Sequence, residues 1–114
     1  MQFDKTITIT QWNNEPIKLN DKFLTLGETI SRMLANQDIE RQFDPYKTFS
    51  IISKIQEKEK DIDIDNSDFD KLLKVVEHDR HFTTNGDWVR GLVIDILKKE
   101  KSKPTSVKEK SKPN

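Results

Sequence analysis

No run of apolar residues in this chain is longer than three, as at Leu92–Ile94. Apolar positions are therefore spaced, and every element they define must bury one face and show the other to water. With 32% hydrophobic and 35% charged residues over 114 positions, the core is confined to a few stripes. One domain fits this length, and a body of about a hundred residues can bury a modest core without staples. No segment approaches the roughly 18 apolar residues that cross a bilayer. The opening MQFDKTITIT has no apolar stretch of signal-peptide length, and there are no cysteines. The expectation is a soluble, cytoplasmic protein without disulfides, thiolate metal sites or a cysteine nucleophile.

The stripes stop at Leu97. From Lys98 to Asn114, seven lysines stand against two glutamates, a net of +5. Residues 1–97 hold thirteen Lys and Arg against eighteen Asp and Glu, a net of −5, so the zero overall charge cancels two unlike parts. The segment KSKPTSVKEKSKPN, with two copies of Lys-Ser-Lys-Pro, buries too little surface to offset its chain entropy. The predicted organisation is one globular domain over 1–97 and a disordered Lys-rich segment over 98–114.

Within the body, Phe3, Ile7 and Ile9 alternate with polar residues, Asn13 to Pro16 is a turn cluster, and Ile17-Lys18-Leu19 alternates again. This predicts an N-terminal β-hairpin with Trp12 at its tip. Ile62 and Ile64 between aspartates predict a third short strand. Four helices follow from caps and stripes. Thr25 with Glu28 at the third position starts the first, with Leu26, Ile30, Met33 and Leu34 inward. Asp44 and Pro45 start the second, with Tyr46, Phe49, Ile52 and Ile55 or Gln56 inward. Asn66 or Ser67 caps the third, with Phe69, Leu72, Leu73 and Val76 inward. Thr84 with Asp87 starts the fourth, with Trp88 or Val89, Leu92, Val93, Ile96 and Leu97 inward. Gly91 inside that helix suggests a close helix crossing. The fold class is α+β, a hairpin packed on about four short helices.

Asp61-Ile62-Asp63-Ile64-Asp65-Asn66 copies the opening of a calcium loop. Such a loop needs Gly at its sixth position and a bidentate Glu at its twelfth. Here these are Asn66 and Leu72, so the segment reads as an acidic strand entering a helix. His78 and His81 lack a third metal ligand and sit at a helix end, where a protonated imidazole favours the dipole. Gly27, Gly86 and Gly91 form no phosphate loop, and no serine or threonine sits in a nucleophile pattern. No catalytic, cofactor or metal set is implied.

Two features point outward instead. Trp and Arg are enriched where proteins bind one another, which makes Trp12, Trp88 and Arg90 candidate partner contacts. Lys98, Lys99, Lys101, Lys103, Lys108, Lys110 and Lys112 can attract a polyanion or the acidic body itself. Without aromatics or arginine between them, they offer phosphate attraction but no base readout.

The order of segments carries a resemblance. The turn Asn14-Glu15-Pro16-Ile17 precedes the helix start Leu24-Thr25-Leu26-Gly27. A basic helix over 47–54 follows, then Ile62-Asp63-Ile64 before Asp68-Phe69, and a glycine-bearing apolar helix over 89–97. Over residues 3–97 this resembles a class of small proteins of unknown function encoded in phages and prophages. The resemblance implies a phage setting, in host cytoplasm or virion, and no activity. The expected function is non-enzymatic: protein binding, as a virion assembly factor or an inhibitor of a host protein, or self-association. Nucleic-acid regulation through the lysines is the alternative. No membrane and no small-molecule substrate is expected.

Overall fold

The computed structural model describes residues 1–37 and 41–102. The fold is α+β. In chain order the elements are β1 (Gln2–Asp4), β2 (Lys18–Leu19), β3 (Lys22–Phe23), α1 (Leu26–Ala35), α2 (Pro45–Glu57), β4 (Asp61–Asp63), α3 (Asn66–Glu77) and α4 (Gly86–Ser102).

The strand expected over residues 3–10 is divided between two partners. β1 pairs antiparallel with β4, placing Phe3 opposite Ile62. The ladder runs on at both ends, from Ile64 N–H to Met1 O at 2.9 Å and from Lys5 N–H to Lys60 O at 2.9 Å. Phe3 and Ile62 are fully buried, each contributing about 2 kcal/mol. The division falls at Asp4, whose Oδ1 accepts from Thr6 N–H at 2.9 Å and Thr6 Oγ1–H at 2.6 Å. Such a local turn lets the chain change partners.

Beyond it, three segments close on one another. Ile9 N–H donates to Leu24 O at 2.8 Å, Leu24 N–H to Ile17 O at 2.8 Å, and Ile17 N–H to Ile9 O at 2.9 Å. Of the hairpin expected between residues 3–10 and 17–19 only the tip forms, where Thr10 bridges Pro16 and Ile17 meets Ile9, because Lys18–Leu19 pairs with Lys22–Phe23 instead. A further strand, β3, joins it through a tight β2–β3 hairpin. Asn20 and Asp21 at that hairpin's tip have φ of 55° and 65°, the conformation a two-residue hairpin loop requires.

α1 starts where its cap predicts, with Thr25 Oγ1 accepting from Glu28 N–H at 3.3 Å. Leu26, Ile30, Met33 and Leu34 are all buried, and α1 packs on both α2 and α3. α2 also starts as expected, with Asp44 Oδ1 accepting from Lys47 N–H at 2.7 Å. Its inner face differs from the expectation. Thr48, Ile51 and Ile55 are buried, whereas Tyr46 and Phe49 are 78% and 66% exposed.

α3 begins at Asn66 behind Asp65 with no side-chain capping bond, so neither Asn66 nor Ser67 is its cap. α4 begins at Gly86, one residue later than a cap at Thr84 implies. Asn85, with φ of 61°, turns the chain into it, and Val89, not Trp88, takes the inner position. A Cβ on Gly91 would have nothing within 4 Å, so no close helix crossing explains this glycine.

α4 also runs past the expected boundary at residue 97. Glu100 is buried, and its Oε1 accepts from Asp4 N–H at 3.0 Å. That bond ties the last turn of α4 to β1, so residues 98–102 belong to the folded body.

Candidate functional site

Trp12, Trp88 and Arg90 lie far apart in sequence, and the fold brings them to one cleft. Its wall also includes Arg80, Phe82, Thr83, Asn85, Gly86 and Asp87, around a volume of about 680 Å³. Three pieces of chain build it: the loop after residue 10, the α3–α4 connection, and the first turn of α4.

The loop is held by its own backbone. Gln11 N–H donates to Glu15 O at 2.8 Å, Asn14 N–H donates to Gln11 O at 2.9 Å, and Glu15 N–H donates to Asn13 Oδ1 at 3.1 Å. Asn14, with φ of 69°, supplies the reversal. Trp12 stands at the tip, 67% exposed. The Nε1–H of Trp88 donates to Thr10 O across this junction, fastening the loop to α4. Trp88 is 38% exposed, one edge fixed and the rest of the ring open to the cleft.

Asp79 organises the connection. It is only 4% exposed. Its Oδ2 accepts from Phe82 N–H at 3.2 Å, and its backbone carbonyl accepts from Arg90 Nη1 at 2.9 Å. Asp79 Oδ1 is buried and meets no hydrogen-bond donor among the described residues. His81 stands edge-on to Phe82 with ring centroids 4.8 Å apart.

Arg90 is consequently part of the wall. One guanidinium nitrogen is held by Asp79 O and another by the Asp87 carboxylate. Arg80 is different: it is exposed and makes no ion pair among the described residues. The cleft thus carries two arginines and one aspartate, with the N-terminal, positive end of α4 on the same wall. With the buried Asp79 behind it, the exposed charge on this wall is chiefly that of Arg80 and Asp87.

Arg80 and Phe82 escape sequence reasoning because they sit in a connection without periodicity. The adjacency Arg80-His81-Phe82, just ahead of Trp88, was their only signal.

The lysine candidates separate from this cleft. Lys98, Lys99 and Lys101 lie in the last turns of α4, at the end away from Trp88. Lys99 pairs with Asp95 at 3.0 Å, and the Lys101 ammonium lies 4.9 Å from the centre of the Phe69 ring. Lys103, Lys108, Lys110 and Lys112 lie outside the described residues.

The aspartates of the calcium-like segment are a strand and a helix start: Asp61 and Asp63 on β4, and Asp65 ahead of α3. The histidines divide between elements. His78 Nδ1 lies 2.9 Å from Lys74 O at the end of α3, while His81 belongs to the connection. Among the described residues, no group of three His, Asp or Glu side chains is gathered as a metal requires. No described helix is long and apolar enough to cross a membrane.

Among the described residues, one ionisable group departs clearly from its ordinary value. The Asp68 carboxylate, 2.9 Å away and hydrogen-bonded, holds the Lys47 ammonium above its usual 10.5. This pair joins α2 to α3, away from the cleft. A second depression, about 350 Å³, lies along β3 and α1 beside Phe23, Glu28 and Arg32. It holds neither tryptophan. No family model, no curated protein and no solved structure matches this chain.

Proposed function

We propose that this protein is a small, non-enzymatic protein-binding module that docks a partner through the Trp12–Trp88 cleft. One observation carries the reading. Both tryptophans of the chain and two of its four arginines line the same cleft. Those are the residue types that dominate binding energy at protein interfaces. The sequence supplies no converging acid, base, nucleophile and metal set that would favour an enzyme instead. A virion assembly factor and an inhibitor of a host protein would both use such a surface. The phage setting rests on the order of segments over residues 3–97.

The test is affinity capture from host and phage-infected lysates with the full chain and its Trp12→Ala variant. A protein retained by the first and lost from the second is the expected result. Capture that ignores Trp12, or no capture from either lysate, removes the reading. Nucleic-acid association through the lysines from Lys98 onward is the second reading, supported by the net +5 of residues 98–114.

A further inference from the structure

We infer that the cleft receives a short acidic segment of the partner protein, one apolar side chain against Trp12 and a carboxylate on Arg80. This rests on the protein-binding reading of the same cleft and names what enters it.

Size is the first ground. A volume of about 680 Å³ is that of a pocket for a small ligand or a few side chains. The depression is wide open to solvent, so it can take an extended segment laid across it.

Surface chemistry is the second. Trp12 at 67% exposure offers nearly a whole indole, and Trp88 and Phe82 add aromatic area beside it. An aromatic or proline side chain gains most from such a surface. The hydroxyl of Thr83 and the amide of Asn85, on the same wall, can meet the backbone of an extended segment.

Charge is the third, and it decides the sign. Asp87 and the buried Asp79 lie beside Arg90, whereas Arg80 is exposed and has no ion-pair partner among the described residues. Guanidinium groups match carboxylates in geometry as well as charge. Residues 1–97 as a whole carry −5, so an exposed arginine without an ion pair among the described residues stands out from its surroundings. The chain's own lysines have the wrong sign to pair with it. A long polyanion is also disfavoured, because most of its length would lie against the acidic body.

The test is selection from a displayed library of random dodecapeptides on the full chain, followed by titration of the winners. Tryptophan emission reads occupancy directly, since both tryptophans lie in the cleft. The expected winners are rich in Asp and Glu around one aromatic or proline residue. Arg80→Glu should weaken them about tenfold or more, the loss of one charge-assisted contact. Trp12→Ala should abolish binding, and Tyr46→Ser, outside the cleft, should leave it unchanged.

Neutral or basic winners that still need Trp12 would overturn the acidic assignment while leaving protein binding in place. Winners indifferent to Trp12→Ala would overturn both. A library yielding no winner would overturn the linear-segment inference alone, because a folded partner is read by the lysate capture. Displacement of an acidic winner by equimolar single-stranded thymidine dodecamer would overturn it in favour of nucleic acid.

Discussion

A methyl group added at Gly27 and one added at Gly91 meet opposite surroundings. At Gly27 it would lie 2.8 Å from Lys5 Cβ, 3.2 Å from Ile55 Cγ2 and 3.2 Å from Lys5 O. The backbone there is already committed, since Gly27 N–H donates to Lys5 O at 2.9 Å. Gly27→Ala should therefore destabilise by about 1–3 kcal/mol, the cost of overpacking, which outweighs the gain in helix propensity. At Gly91 the methyl meets open space on a helix surface. Gly91→Ala should stabilise by about 0.5–1 kcal/mol. Urea unfolding of the two variants checks both, and shifts of the same sign would contradict the packing described. Sequence alone attributes Gly91 to a close crossing, because a glycine records that a side chain is absent but not why. Trp12, Trp88 and Arg90 stand out by residue type, and what the fold adds is that they line one depression. The difference between the arginines was not legible, since it is the Asp79 carbonyl and the Asp87 carboxylate that hold Arg90 in the wall, while Arg80 makes no ion pair among the described residues.

At the scale of elements, caps proved more legible than faces. Thr25 and Asp44 each hold a backbone N–H three residues on, and α1 and α2 start beside them. The face of α2 was misread because its buried stripe includes Thr48, while its exposed side carries Tyr46 and Phe49. Both stripes have helical spacing, so periodicity could not choose between them. The choice came from α1, against which α2 packs. Ile51→Ala or Ile55→Ala should cost about 2–5 kcal/mol, whereas Tyr46→Ser or Phe49→Ser should stay within about 0.5 kcal/mol. Equilibrium denaturation of the four variants measures the contrast, and large losses at Tyr46 and Phe49 would place them in the core. The Lys47–Asp68 pair adds a pH dependence. Its folded ammonium titrates above 10.5, so the contribution is complete below the unfolded value and is lost as pH rises through the folded one. The melting temperatures of wild type and Lys47→Met should converge as pH climbs from about 9 to about 12, with a small gap that salt reduces. The strand pairing was half legible. Alternation marked residues 3–10 as extended, but the Asp4–Thr6 turn that sends β1 to β4 leaves no mark on a period of two.

For the molecule as a whole, the division of charge at Leu97 is real in sequence, yet it is not the boundary of the fold. α4 continues to Ser102, where Glu100 reaches Asp4 N–H across most of the chain length and Lys101 lies over Phe69 of α3. A charge count along the sequence cannot register them. The consequence is practical. Ending the chain after Leu97 removes both contacts and leaves the Asp4 N–H without its carboxylate, which should lower stability by about 1–3 kcal/mol. Ending it after Ser102 should leave the urea midpoint unchanged. Only the second truncation can therefore test the lysines, because the first confounds loss of charge with loss of fold. Four lysines lie beyond Ser102. If they contact phosphates of duplex DNA, the log–log salt slope of the full chain should be steeper than that of 1–102 by up to about 3.6, at roughly 0.9 per phosphate. Equal slopes would leave those lysines without a nucleic-acid role. Any binding that remained would then trace to Lys98, Lys99 and Lys101 or to the cleft. Lys99 is already engaged by Asp95 within α4, so charge reversal at Lys98 and at Arg80, measured separately on 1–102, would tell those two ends of the helix apart.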